Sequence, residues 1–73
     1  MILILKKDLQ FPNWWKKGDR FYLDDETAWV YGMEKVNEKW VCNENPLRKG
    51  LSGQINMMLI YAPKFFKIIK EQQ

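Results

Sequence analysis

Histidine is absent from this sequence and cysteine occurs once, at Cys42. An internal disulfide and an ordinary Cys/His zinc centre are therefore excluded, and the usual activating base for a Ser or Cys nucleophile is missing. Long apolar runs are missing too. Met1-Ile2-Leu3-Ile4-Leu5 is ended by Lys6, Lys7 and Asp8, short of a signal-peptide core and far short of the roughly 20 residues of a membrane span. A lone unpaired cysteine agrees with a reducing compartment, so a cytoplasmic protein with no membrane association is expected. Neither a repeat nor a low-complexity tract nor a linker divides the chain. Its 73 residues leave room for one domain, 1–73, and none for a catalytic cleft between domains. A chain of this size buries only about 60% of its unfolded surface. Without disulfide or metal, its stability rests on packing, with homo-oligomerisation open as a supplement.

The material for packing is present. Aromatic residues make up 15% of the chain, including four Trp, four Phe and three Tyr, and such rings bury large areas. The usage is rich in Lys, Ile, Asn, Phe, Tyr and Met, as in AT-rich genes, which fits a phage-type origin. Charge is unevenly placed. Residues 1–20 carry five bases against two acids, residues 21–44 two bases against six acids, and residues 45–73 five bases against one acid. If the first and last strands lie side by side, the fold gathers a basic face opposite an acidic hairpin.

Short β-favouring runs are separated by turn residues, the pattern of a small barrel or sandwich. Ile2 to Leu5 is the first run. Phe11-Pro12-Asn13 breaks regularity, and Gly18-Asp19 leads into Arg20-Phe21-Tyr22-Leu23. Asp24-Asp25-Glu26 reads as a solvated turn. Ala28 to Met33 and Trp40 to Cys42 form a hairpin across Val36-Asn37-Glu38-Lys39. Asn43 to Gly53 reads as an exposed loop, and Ile55 to Tyr61 as an extended apolar run. Phe65, Ile68 and Ile69 fit an amphipathic helix at i, i+3 and i+4. The favoured reading is instead one helical turn at Pro63 to Phe66 followed by a short closing strand.

In this order the runs resemble an SH3-type barrel over most of the chain. Asp8-Leu9-Gln10-Phe11 follows an apolar first strand, and Lys16-Lys17-Gly18-Asp19-Arg20-Phe21 is similar to the family's Lys-Gly-Asp turn. Trp40-Val41-Cys42-Asn43 stands where the tryptophan strand does, and Gly53-Gln54-Ile55 is similar to the glycine before the next strand. Pro63-Lys64-Phe65-Phe66-Lys67-Ile68-Ile69 resembles the closing Pro-x-x-Tyr-Val-x-x-Leu. The resemblance implies an all-β, SH3-like antiparallel barrel of five or six strands with one short helical turn near the C-terminus. It also implies a remnant of the polyproline II groove at Trp40, Pro63 and Phe66. The groove tyrosines of Ala-Leu-Tyr-Asp-Tyr are missing, and Phe66 stands in a tyrosine's place without its hydroxyl.

Trp14 and Trp15, followed by Lys16 and Lys17, join two indole rings to positive charge. Adjacent strand residues point to opposite faces, so one ring can fill the core while the other stacks on a base or anchors a protein. The bland alternative has both rings capping the core. Arg48-Lys49-Gly50-Leu51-Ser52-Gly53 lacks the phosphate-loop spacing and reads as a solvated turn. Three consecutive acids at Asp24-Asp25-Glu26 rarely converge on one cation. Met57-Met58 reads as core filling. Neither Ser52, Thr27 nor Cys42 has an activating base in view. No catalytic residue, metal or cofactor is expected.

The expectation is a non-enzymatic binding module, an accessory or phage-type protein that holds another protein through Trp14, Trp15, Lys16, Lys17, Trp40, Pro63 and Phe66. The alternative is a nucleic-acid-binding barrel with a phosphate track at Lys6, Lys7, Lys16, Lys17 and Lys67. Trp29 and Trp40 are expected in the core or in cross-strand pairs.

Overall fold

The structure, a computed structural model, describes residues 1–10 and 14–70; the expected break at Phe11-Pro12-Asn13 lies outside the described residues. The elements are β1 (Ile2–Leu5), β2 (Arg20–Leu23), β3 (Val30–Val36), β4 (Lys39–Cys42), α1 (Lys49–Tyr61), a 3-10 turn (Pro63–Phe65) and β5 (Phe66–Ile69). Every strand pair is antiparallel, in the order β4-β3-β2-β1-β5. The expected mainly β architecture, five antiparallel strands with a helical turn before the last, is thus the one the chain adopts. The sheet is not closed into a barrel: β4 and β5 remain its two edges. Among the described residues no helix is long and apolar enough to cross a membrane.

The first and last strands do lie side by side, with Ile2 opposite Ile69 and Leu5 opposite Phe66. Alternation along each strand then selects the core. Leu3 and Leu5 of β1, Phe21 and Leu23 of β2, Val30 of β3 and Phe66 of β5 are buried. The Trp15 and Phe21 rings meet edge-on with centroids 5.0 Å apart, and Phe21 meets Phe66 likewise at 6.5 Å. Trp15 reaches this core from a loop held by reciprocal backbone hydrogen bonds to Leu9 of 2.7 and 3.0 Å. The hairpin turns at Asn37 and Glu38, which both take the left-handed conformation (φ 51° and 67°) that a two-residue hairpin loop requires.

Two segments differ from the sequence reading. Residues from Lys49 onward in the expected loop, and the whole expected extended run Ile55 to Tyr61, form the single helix α1. Leu51, Ile55, Met58 and Leu59 fall at helical spacing and pack against the core, with Ile55 fully buried. Apolar residues also occupy the outer face, so the run reads as continuous rather than periodic. Pro63 stands two residues beyond the last helical residue and cannot continue the helix.

Trp29 is a second correction, lying neither in the core nor in a strand, whereas Trp40 takes a cross-strand position in the hairpin. Val30 takes the inward position on β3, which leaves its neighbour Trp29 54% exposed. Trp40 lies opposite Lys35 on the outer side of the hairpin, half-buried beneath the Arg20 guanidinium, 4.6 Å from the ring centroid. The other outward residues of the central strands, Ile2, Ile4, Tyr22, Tyr31 and Met33, are half-buried as well.

Packing of this kind makes distinct stability predictions. Ile55→Ala should cost about 2–5 kcal/mol and Trp15→Ala about 3–5 kcal/mol, whereas Trp14→Ala and Trp29→Ala should stay within about 0.5 kcal/mol of the wild type. Urea unfolding of the four variants checks this ranking, and equal losses at Trp14 and Trp15 would contradict it. Glu38→Gly should stabilise the hairpin by roughly 1 kcal/mol, because glycine takes positive φ without the Cβ clash. A lowered urea midpoint for that variant would remove the strained turn.

Candidate functional site

Two surfaces stand out from an otherwise ordinary exterior. The first is built on α1. After Lys49 the helix carries no charged residue to its end at Tyr61, and helices apolar on every side are normally buried on every side. Here only one side is covered. Met57, Ile60 and Tyr61, at i, i+3 and i+4, form an outer stripe exposed by 57%, 70% and 77%. Beside the first half of the helix lies a groove of about 520 Å³, lined by Ala28, Trp29, Leu47, Lys49, Gly53 and Asn56 among others.

Local chemistry fixes the floor of this groove. The Ser52 hydroxyl donates to the Leu47 carbonyl (3.3 Å) and accepts from the Val30 N–H (3.4 Å). The Asn56 amide donates to the carbonyls of Ala28 and Ser52, each at 2.9 Å. These bonds tie α1 to the β2–β3 connection, where Ala28 itself has a positive φ of 64°. Trp29 is thereby held at the rim of the groove. Arg48, just before the helix, makes no capping hydrogen bond, and the first helical turn contains no acid. Lys49 and the helix N-terminus therefore leave this end positive.

The second surface is the end of the sheet where β1 finishes and β2 and β5 begin. Lys67 and Arg20 flank Ile4 in register, and Lys6 follows one pair further along the same outward row. Lys6 donates its backbone N–H to the Phe65 carbonyl (2.8 Å), and the Lys7 ammonium lies 5.6 Å from the centre of the Phe65 ring. The turn Lys16-Lys17-Gly18-Asp19 closes beside them, with the Gly18 N–H donating to the Leu5 carbonyl (2.8 Å) and the Leu5 N–H donating to the Asp19 carbonyl (2.9 Å). Gly18 makes this turn at φ 97°, a conformation that side-chain-bearing residues rarely adopt. Trp14 projects from the same loop, 76% exposed.

The residues singled out by sequence are thus divided. Lys6, Lys7, Lys16, Lys17, Lys67 and Trp14 are all exposed, and the pairing of β1 with β2 and β5 puts the segments that carry the lysines at the same end of the sheet. Trp15 and Phe66 do not reach the surface: the Leu9 bridge turns the first inward, and register opposite Leu5 turns the second inward. With Phe66 in the core, the expected polyproline groove is not formed; Trp40 sits on β4 at one sheet edge and the exposed Pro63 just before β5 at the other. Sequence reasoning missed Trp29, Met57, Ile60 and Tyr61 as surface residues. The available signal was the spacing of Leu51, Ile55 and Met58, which assigns the residues between them to the opposite side. Among the described residues, no group of three or more Cys, Asp or Glu side chains is placed to hold a metal ion.

No protein-family model, no curated protein and no solved structure matches this chain.

Proposed function

We propose that the chain is a non-enzymatic protein-binding module that takes its partner on the outer face of α1 and in the groove beside Trp29. The observation that carries this reading is the uncharged outer stripe of a surface helix, Met57, Ile60 and Tyr61. These three side chains expose on the order of 400 Å² of largely apolar surface, which falls within the range of about 300–600 Å² seen for the largest, often functional, patch on a monomer. Covering it supplies the hydrophobic anchor that an interface needs at its centre.

Charge complementarity defines the partner. Lys49 is the charged residue lining the groove, Arg48 is its neighbour, and no acid of the first helical turn neutralises them. The partner is a protein segment that seats an apolar side chain in the groove and directs a carboxylate towards Lys49 and the helix N-terminus. The sheet is proposed to be of the SH3 type. The strand order β4-β3-β2-β1-β5 and the 3-10 turn before β5 support that assignment, with α1 as an insertion ahead of the turn and the groove beside α1 replacing the polyproline site.

Ile60→Asp places a charge at the middle of the stripe without touching the core. It should weaken capture of a co-purifying protein by at least about tenfold while leaving circular dichroism and the melting temperature close to wild type. Lys49→Glu should mainly slow association. Unchanged capture by both variants sinks the proposal. A doubled mass in light scattering that Ile60→Asp abolishes would assign the surface to a second copy of the chain instead.

A further inference from the structure

We propose that the basic end of the sheet, remote from the α1 stripe in function, is a contact surface for single-stranded nucleic acid, with lysines following the phosphates and Trp14 stacking on a base. The fold concentrates cations there from four separate segments: Lys6 and Lys7 after β1, Lys16 and Lys17 in the turn before β2, Lys64 in the 3-10 turn and Lys67 in β5. Only two acids stand in the same segments, and each is engaged by backbone. Asp8 accepts the Lys17 N–H at 2.8 Å, and Asp19 accepts the Lys16 N–H at 2.9 Å. Among the described residues the sole ion pair is Lys35–Glu38, on the distant hairpin. The lysine ammonium groups of the basic end are therefore not neutralised by partners among those residues, and their summed field faces solvent.

The acidic residues do not cancel that field. Asp24, Asp25 and Glu26 follow the far end of β2, about 14 Å along a four-residue strand, which exceeds the screening length of about 8 Å at physiological salt. On the hairpin, Glu34 and Glu38 are matched by Lys35 and Lys39. The second ingredient is the ring. Trp14 is the most exposed of the tryptophans, and Lys17 follows it by three positions, a reach of about 10 Å at most. A duplex keeps its bases stacked away from such a ring, and an acidic peptide has no flat π-face to offer it. A single strand presents both phosphates and unstacked bases, the combination that stacking platforms in electropositive grooves take without sequence preference.

Fluorescence anisotropy of a labelled oligothymidylate, its duplex counterpart and labelled polyglutamate, each titrated with the intact chain between 50 and 200 mM salt, tests the proposal. The single strand should bind best, with log affinity falling against log salt by about 0.7 per phosphate contact. Lys16→Gln combined with Lys17→Gln should reduce that slope by roughly 1 to 1.5. Trp14→Ala should weaken binding roughly 5- to 150-fold, and Trp14→Phe should recover part of the loss. Absence of binding at micromolar protein, equal affinity for duplex or polyglutamate, or a Trp14→Ala variant that binds as well as wild type would each overturn it. Met57→Ser, an uncharged change on the stripe, should leave the titration unchanged; loss of oligonucleotide binding in that variant would also overturn the assignment to the basic end.

Discussion

Ile55 and Ser52 hold α1 against the sheet, and the rest of the architecture depends on that contact. Ile55 is fully buried among side chains from the strands, and the Ser52 hydroxyl joins the Leu47 carbonyl to the Val30 N–H. The contact covers the inward row of Leu3, Phe21, Leu23 and Val30. One helix covers one side only. The outward row from Ile2 to Met33 is left half-buried, and the helix's own outer face is left bare. A 73-residue chain with one cysteine and no histidine has few other ways to add stability. Exposed apolar surface on α1 is therefore a cost to the free chain, and on the proposed function it is the surface a partner would cover.

Much of the sheet was legible in the sequence because period-2 patterning and turn chemistry agree there. Ile2 to Leu5 and Arg20 to Leu23 form as read, and the hairpin around Asn37 and the turn at Pro63 form with slightly shifted bounds. The helix was not legible, because residues 55–61 are apolar on both sides and the helical period is hidden by its own outer stripe. Gly50 and Gly53 added to the disguise, since each disfavours a helix by about 1 kcal/mol relative to alanine. Barrel closure could not be read either, as it depends on strand curvature rather than on residue pattern.

The candidate site was half legible. The pairing of β1 with β5 was enough to bring Lys6, Lys7 and Lys67 to one end of the sheet, whereas alternation allowed one of Trp14 and Trp15 to turn inward without saying which. Phe66 and Trp29 were misplaced for one shared reason. Which face a strand residue takes depends on register, and a shift of one residue exchanges the faces. Leu5 opposite Phe66 and Val30 opposite Leu23 settle that register, and the first of these pairings is long-range. The resulting molecule keeps its two unusual surfaces chemically separate: an uncharged stripe on the helix and a lysine-rich rim with one bare indole at the end of the sheet.

α1 rests on the sheet through Ile55 and leaves an apolar face open to solvent. Hydroxyl-radical footprinting of the free chain, read residue by residue by tandem mass spectrometry, tests it most directly. The account predicts heavy labelling of Met57, Ile60, Tyr61 and Trp29, with Ile55, Trp15 and Phe66 protected. Labelling of Ile55 together with protection of Met57 and Tyr61 would contradict it.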